Sequence, residues 1–334
     1  MRGRDSRRIV RAMREAPLNR REMLASCAAA AALSAVPQAF GAFSAPSLDF
    51  LVVGDWGRNG TEHQREVAAQ MGRTAASRGP RCVISVGDNF YEDGVQSSAD
   101  PQWRTSFEEV YKARSLQVPW YVALGNHDYR GVPQAQIDYS EASPRWRMPA
   151  RYFKVSGRDL GAAHVDLFVI DTSPLVHKYR EQVHSVIAAN VAGQDVSAQM
   201  RWLEAQLAAS SAPWKLVIGH HTIYAGGIDH EDTPETKELI VPLLKKYGVQ
   251  AYIHGHEHNL QHIRRGGVDY VCSGAGSQVW PVRPIEGTLF CIARSGFAAM
   301  RSEPHRLTLE FRDFDGKSLH RAEIPNRAAA VEAA

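Results

Sequence analysis

Five glycine-led clusters of metal-binding side chains, each closing an apolar run, constrain this chain more than any other feature. In order they are Gly54-Asp55-Trp56-Gly57, Gly87-Asp88-Asn89-Phe90-Tyr91, Gly125-Asn126-His127-Asp128, Gly219-His220-His221 and Gly255-His256-Glu257-His258. The runs ahead of them, such as Phe50–Val53, are rich in Val, Ile and Leu, as buried strands are. In open α/β sheets, ligands gather beyond the carboxyl ends of strands. Polar groups that follow five such strands therefore converge, however distant in sequence. The leading glycines let the backbone turn sharply and approach closely. One Gly-Asp after a strand is usually a turn; five clusters in this order point to a site.

The remaining pattern is β-runs alternating with helical stretches. Strands are expected over Asp49–Gly54, Cys82–Gly87, Trp120–Gly125, Val165–Asp171, Trp214–Gly219 and Gln250–His254. Helices are expected over Thr61–Ser77 (with Thr61 as cap), Trp103–Lys112, Ser197–Ser210 and Pro234–Tyr247. The tail changes character: Gln261–Arg264, Val268–Cys272, Leu289–Ala293 and Arg306–Arg312 alternate as antiparallel strands do. The fold class is α/β with α+β character at the C-terminal end. Two mixed sheets are expected to pack face to face with helices outside, a four-layer αββα arrangement. Residues 177–194 read as an irregular insertion. No interior linker divides the body, so one domain is expected over 48–324, followed by a flexible tail over 325–334.

The front of the chain is different. Residues 1–45 hold eight Arg and three acidic groups. Set aside, they turn the chain's 39 basic and 36 acidic groups into 31 and 33, so the formal charge of +3 becomes slightly negative. A nucleic-acid partner inferred from the whole-chain charge would be an artefact of this leader. Arg20-Arg21 precedes an Ala-rich run from Ala25 to Val36, with small residues after it. This resembles a twin-arginine export signal, with an ordinary secretory signal or a start at Met13 as alternatives. The expected location is periplasmic or secreted, with the export machinery as a partner. Cys27 precedes the apolar run instead of ending it, so no lipid anchor is expected, and no later segment has 18 apolar residues in a row. Cys82, Cys272 and Cys291 read as buried free thiols, a Cys272–Cys291 disulfide being the lesser alternative.

Donor types define the chemistry. Carboxylates and a phenolate suit a hard cation; imidazoles and an amide oxygen suit a borderline divalent one. Asp88 has two oxygens, enough to serve both. Two ions about 3.5–4 Å apart hold a phosphoryl group between them and activate a hydroxide for in-line attack. No cysteine joins the set, which argues against structural zinc.

The motifs GDWG, GDNFY and GNHD, then Ala135–Trp146, Gly255–Gln261 and Ser273–Gly276, resemble the calcineurin-like metallophosphoesterases. Within them, GDNFY is most similar to the short-type purple, tartrate-resistant acid phosphatases. That resemblance implies Fe(III) on Asp55, Asp88, Tyr91 and His258, and a divalent Fe, Zn or Mn on Asp88, Asn126, His220 and His256. It implies hydrolysis of small phosphate monoesters by a metal-bound hydroxide, with Asn126 also steadying the phosphoryl oxygens. His127, its ring expected to be oriented by Asp128, is the candidate proton donor to the leaving group. His230 is a candidate phosphate contact on the strength of the resemblance alone. The alternatives are a phosphodiesterase or nucleotidase on the same scaffold, and a metal- or phosphate-binding protein without turnover. Trp56 is expected to wall the pocket and His254 to pack behind it. His63, His164, His177, His184, His262 and His305 read as surface or packing residues, and Arg264-Arg265 as a solvated turn. Glu92-Asp93 is expected to make the rim acidic and disfavour highly anionic substrates.

Overall fold

In the computed structural model, which describes residues 47–182, 184–228 and 232–326, β1 (Leu48–Val53) is buried along its whole length. β2 (Cys82–Ser85), β3 (Trp120–Val122) and β4 (Trp146–Arg147) extend from it in parallel. The chain then builds a second sheet from β5 (Phe153–Ser156), β6 (Val165–Val169), β7 (Trp214–Ile218), β8 (Ala251–His254), β9 (Leu260–Arg265), β10 (Val268–Ser273) and β11 (Thr288–Ile292). β12 (Gly296–Glu303), β13 (Arg306–Asp313) and β14 (Ser318–Ile324) return to the first. The strand orders are β14-β13-β12-β1-β2-β3-β4 and β11-β9-β10-β8-β7-β6-β5.

Successive strand residues point to opposite faces, and that alternation builds the layers. Leu216, Ile218 and Ile253 of the second sheet share one apolar cluster with Leu51, Val53 and Ile84 of the first. Val217 and Tyr252, their immediate neighbours, face a second cluster outside. There they meet Leu203 and Leu207 of α5 (Val196–Ala209) and Ile240 and Leu244 of α6 (Pro234–Lys246). α1 (Gln64–Arg78) packs Val67 and Met71 against the first sheet. The expected pair of face-packed mixed sheets flanked by helices is therefore what the chain forms. Among the described residues, no helix is long and apolar enough to cross a membrane.

Several local expectations are corrected. The first helix starts at Gln64, not at Thr61, because the Gln64 side chain itself ties down the preceding loop, accepting from Arg58 N and Gly60 N. Trp103–Glu108 is a shorter, wider turn than the expected helix, closed by Glu109 N bonding to Arg104 O at 3.0 Å. The supposedly irregular 177–194 contains α3 (His177–Glu181) and α4 (Val186–Ala192), the latter capped by Ser185 Oγ accepting from Ala188 N. α2 (Pro133–Ala142) lies in the segment 135–146 that carried part of the family resemblance. Arg264 is no solvated turn residue: it lies in β9 and pairs with buried Asp269, which also holds His262 at 2.7 Å. Cys82, Cys272 and Cys291 are free thiols, and Cys291 is only partly buried. The leader, the end of the tail and His230 lie outside the described residues.

Candidate metal centre

The five clusters do meet. β1, β2 and β3 of the first sheet deliver Asp55, Asp88 and Asn126, while β7 and β8 of the second deliver His220, His256 and His258. Asp55 (φ 59°), Asp88 (φ 49°) and His256 (φ 68°) all take the left-handed conformation that non-glycine residues rarely adopt. Such strain collects where the surrounding structure forces side chains toward a common point. Gly125 shows how tight the approach is, since a Cβ there would run into the Asp88 carboxylate.

The donors form two overlapping groups. In the first, the Tyr91 hydroxyl lies 3.1 Å from Asp55 Oδ1, 3.0 Å from Asp88 Oδ2 and 3.0 Å from His258 Nε2. In the second, His220 Nε2 lies 3.4 Å from Asp88 Oδ2, 3.3 Å from Asn126 Oδ1 and 3.2 Å from His256 Nδ1. Asp88 belongs to both. Its other oxygen accepts from His127 N at 2.8 Å.

Charge bears on whether cations fit here. His220 Nδ1 faces the Val86 carbonyl at 2.9 Å, so it carries the hydrogen and leaves Nε2 to face the acceptors. Burial drives Asp55 well above the usual carboxylate range, and Asp88 adds to that shift. Burial and both carboxylates raise the Tyr91 phenol. Burial also lowers His258 to about 3, so its ring stays neutral and able to ligate. Burial opposes a charge on His220 as well, but Asp88 outweighs it and raises the ring to about 9, while Asp88 itself is lowered. Three acids crowd around one point, and a proton on His220 stands where positive charge is required. The donor set fits a pair of cations.

A model of the calcineurin-like phosphoesterase family matches residues 48–260. The chain belongs to that family. Purple acid phosphatase 4 of Arabidopsis thaliana is 37% identical over 287 residues, which cover 82% of this chain and 83% of that one. Tartrate-resistant acid phosphatase type 5 of Oryctolagus cuniculus is 36% identical over 303 residues, 85% of this chain and 93% of its own. Among solved structures, GAP50, described as the anchor in the inner membrane complex of Plasmodium, matches at TM-score 0.71 and 23% identity. It covers 84% of this chain and 89% of its own, and carries a statement about fold alone. This protein is an enzyme, a phosphoesterase with a metal centre.

In this phosphoesterase the cation site opens into a cleft of about 340 Å³, whose lining includes Asp88, Asn126, His127, His256 and His258. His127 Nδ1 lies 2.6 Å from the Glu92 carbonyl, which can only accept, so Nδ1 carries a hydrogen and Nε2 is left as the position that can exchange a proton with a substrate. Asp128 does not orient that ring. It is fully buried and accepts from Gly125 N, Asn89 N and Gln136 Nε2, holding the turn from inside. Trp56 is likewise no pocket wall: it is buried among Phe90, Phe107, Tyr111, Trp120 and Trp146, its Nε1 bonded to Ser85 Oγ. His254 packs behind the site against Tyr252. Glu92 does not make the rim simply acidic, since Arg58 pairs with it at 2.6 Å and also covers the Tyr91 ring at 3.9 Å.

Three residues outside the expected ligand sets also shape the site. Trp280 stacks flat on His258 at 3.7 Å. Thr172 Oγ1 accepts from His220 N and His221 N and meets His221 Nδ1 at 2.8 Å, shaping the Gly219-His220-His221 turn. His221 Nε2 in turn holds the Tyr179 hydroxyl at 3.1 Å. Their signals are single residues in unremarkable contexts; only for His221 does a neighbouring ligand give a hint.

Proposed function

We propose that this enzyme is an exported acid phosphatase acting on phosphate monoesters with a dinuclear Fe(III)–M(II) centre. The observation that carries this reading is Asp88, one carboxylate common to two donor groups, with the Tyr91 hydroxyl 3.0 Å from it in the first. Asp55, Asp88, Tyr91 and His258 would hold the trivalent ion; Asp88, Asn126, His220 and His256 would hold a divalent Fe, Zn or Mn. Such a pair supplies Lewis-acid charge for the phosphoryl oxygens and lowers the pKa of water. The chain's own residues do the rest. Asn126 steadies a phosphoryl oxygen. His127, anchored through Nδ1, presents Nε2 to the leaving-group oxygen and supplies the proton with which the alcohol departs as its P–O bond breaks. His230 serves as a phosphate contact on the resemblance alone.

The names of the relatives support monoester hydrolysis. The Arg pair and Ala-rich run support a cleaved leader over residues 1–45 and a periplasmic or secreted enzyme of one catalytic domain over 48–324. The test is a purified protein assayed on phenyl phosphate and bis(phenyl) phosphate, with metal analysis and a visible spectrum. Iron, a broad purple band and preference for the monoester are expected. A colourless protein holding only zinc or manganese, or one preferring the diester, overturns the subclass.

A further inference from the structure

One wall of the cleft carries Arg130, Lys178 and Tyr179, none of them in the donor set. The single carboxylate of the lining is Asp88, which the cation site uses. Among the described residues, neither Arg130 nor Lys178 makes an ion pair; the Lys178 ammonium meets only the ring of Tyr179, at 5.2 Å. Unpaired surface cations are common, but here side chains hold the backbone beside Arg130. Asn190 Nδ2 donates to Tyr129 O and Gly131 O, both at 2.8 Å, gripping the turn on each side of Arg130. The two residues after Lys178 are held too: His221 holds the Tyr179 hydroxyl, and Arg180 Nε donates to Pro174 O at 2.9 Å. Arg130 also closes a turn onto His127, its N–H bonding to His127 O at 3.0 Å. The backbone of Arg130 is thus tied to that of His127, the candidate proton donor, and both residues line the cleft. With the carboxylates neutralised by cations, the cleft lining keeps two positive charges, Arg130 and Lys178.

We propose that Arg130 and Lys178 form a subsite for a second anionic group, so that the enzyme favours phosphomonoesters whose leaving group carries a phosphate or carboxylate. The inference rests on the phosphomonoesterase reading. Two matched pairs test it, phenyl against 4-carboxyphenyl phosphate and glucose 6-phosphate against glucose 1,6-bisphosphate, with the holoenzyme and the Arg130→Gln, Lys178→Gln and double variants. The ratio of kcat/KM, anionic over neutral, falls about tenfold per substitution for a charge-assisted contact. It is largely retained in Arg130→Lys and Lys178→Arg, and shrinks with added salt. A fall in the bisphosphate pair alone assigns the subsite to phosphate; a fall in both assigns it to anions generally. Equal losses on all four substrates, or a double-variant ratio within about twofold of wild type, overturn the proposal. Titration with phosphonoacetate and methylphosphonate, which do not turn over, separates the two readings. A phosphonoacetate advantage that the double variant loses, in a protein without turnover, sinks the phosphatase reading and keeps the subsite. Turnover without that advantage does the reverse.

Discussion

Removing the His127 side chain is the sharpest test of the proton-donor role, because the structure separates what the side chain does from what the backbone does. The backbone N–H of residue 127 bonds Asp88 Oδ1, and that contact survives any side-chain substitution. Asn126 and the other donors belong to different residues. The side chain itself makes one hydrogen bond, from Nδ1 to Glu92 O, and a tilted contact with Tyr91 at 4.4 Å. Losing these costs about 1 kcal/mol of stability. Losing a positioned proton donor costs about 10²–10⁴-fold in rate, or roughly 3–5 kcal/mol at the transition state. The disproportion decides the experiment. His127→Ala is expected to keep its metal content and melt within a few degrees of wild type, while kcat on an alkyl phosphate falls by that factor. With 4-nitrophenyl phosphate, whose leaving group needs little protonation, the fall is smaller. Equal losses on the two substrates, or metal lost in step with activity, would refute the reasoning.

The other expectations are more compact. Tyr91→Phe removes the hydroxyl lying among Asp55, Asp88 and His258, so the visible band should vanish; a protein that keeps its colour has a different chromophore. Trp146→Ala, which deletes a fully buried ring 4.8 Å from Trp103 and 5.0 Å from Phe107, should cost about 3–5 kcal/mol in urea unfolding. A loss below about 1 kcal/mol would mean the aromatic cluster collapses to fill the gap. Asp166 accepts from Lys154 at 2.8 Å and Ser210 at 2.6 Å; against the burial that would raise it, these partners lower its pKa. A depressed carboxylate stabilises above its unfolded pKa of about 3.9 and loses that stabilisation as pH falls through the folded value. Asp166→Asn should therefore cost about 1–2 kcal/mol at pH 7, moderated because Lys154 is partly in water, and the gap should narrow below pH of about 4. Equal gaps at pH 7 and pH 3 would contradict this. Stripping the cations with a chelator should lower the melting temperature reversibly, because folded but not unfolded protein gathers the donors; an unchanged melt means the donors do not hold a cation.

The parts of the fold legible in the sequence are those where burial on both faces leaves a continuous apolar run. β1, β6 and β7 are close to this kind, each broken by one charged residue (Asp49, Asp166 and Lys215) ahead of an unbroken apolar stretch. β12 is not: Gly296–Glu303 contains Ala298, Ala299 and Arg301, weak strand formers, and becomes a strand because β1 and β13 pair with it on both sides. α3 and α4, of five and seven residues, are too short for a helical period to show. At the site, the order of clusters foretold which residues meet, because that follows from topology. Which way each neighbouring side chain turns does not. Asp128 and Trp56 sit beside ligand candidates in sequence and point into the interior, whereas Trp280, remote from every motif, lies flat on His258.

A shared scaffold does not by itself imply turnover. The strain concentrated on the donors says more. Left-handed backbone at Asp55, Asp88 and His256 costs about 1–3 kcal/mol at each position. Two carboxylates and a phenol within 3.1 Å add desolvation and like-charge repulsion. Asp55 Oδ2 accepts from His256 N at 3.1 Å and so ties the ends of the two sheets together, but Leu51, Ile84 and Ile218 supply the apolar packing between them. A chain needing only a rigid surface would relax these positions to glycine and amide. Keeping them makes sense where cations offset the repulsion, and where a cleft that His127 also lines gives those cations something to act on.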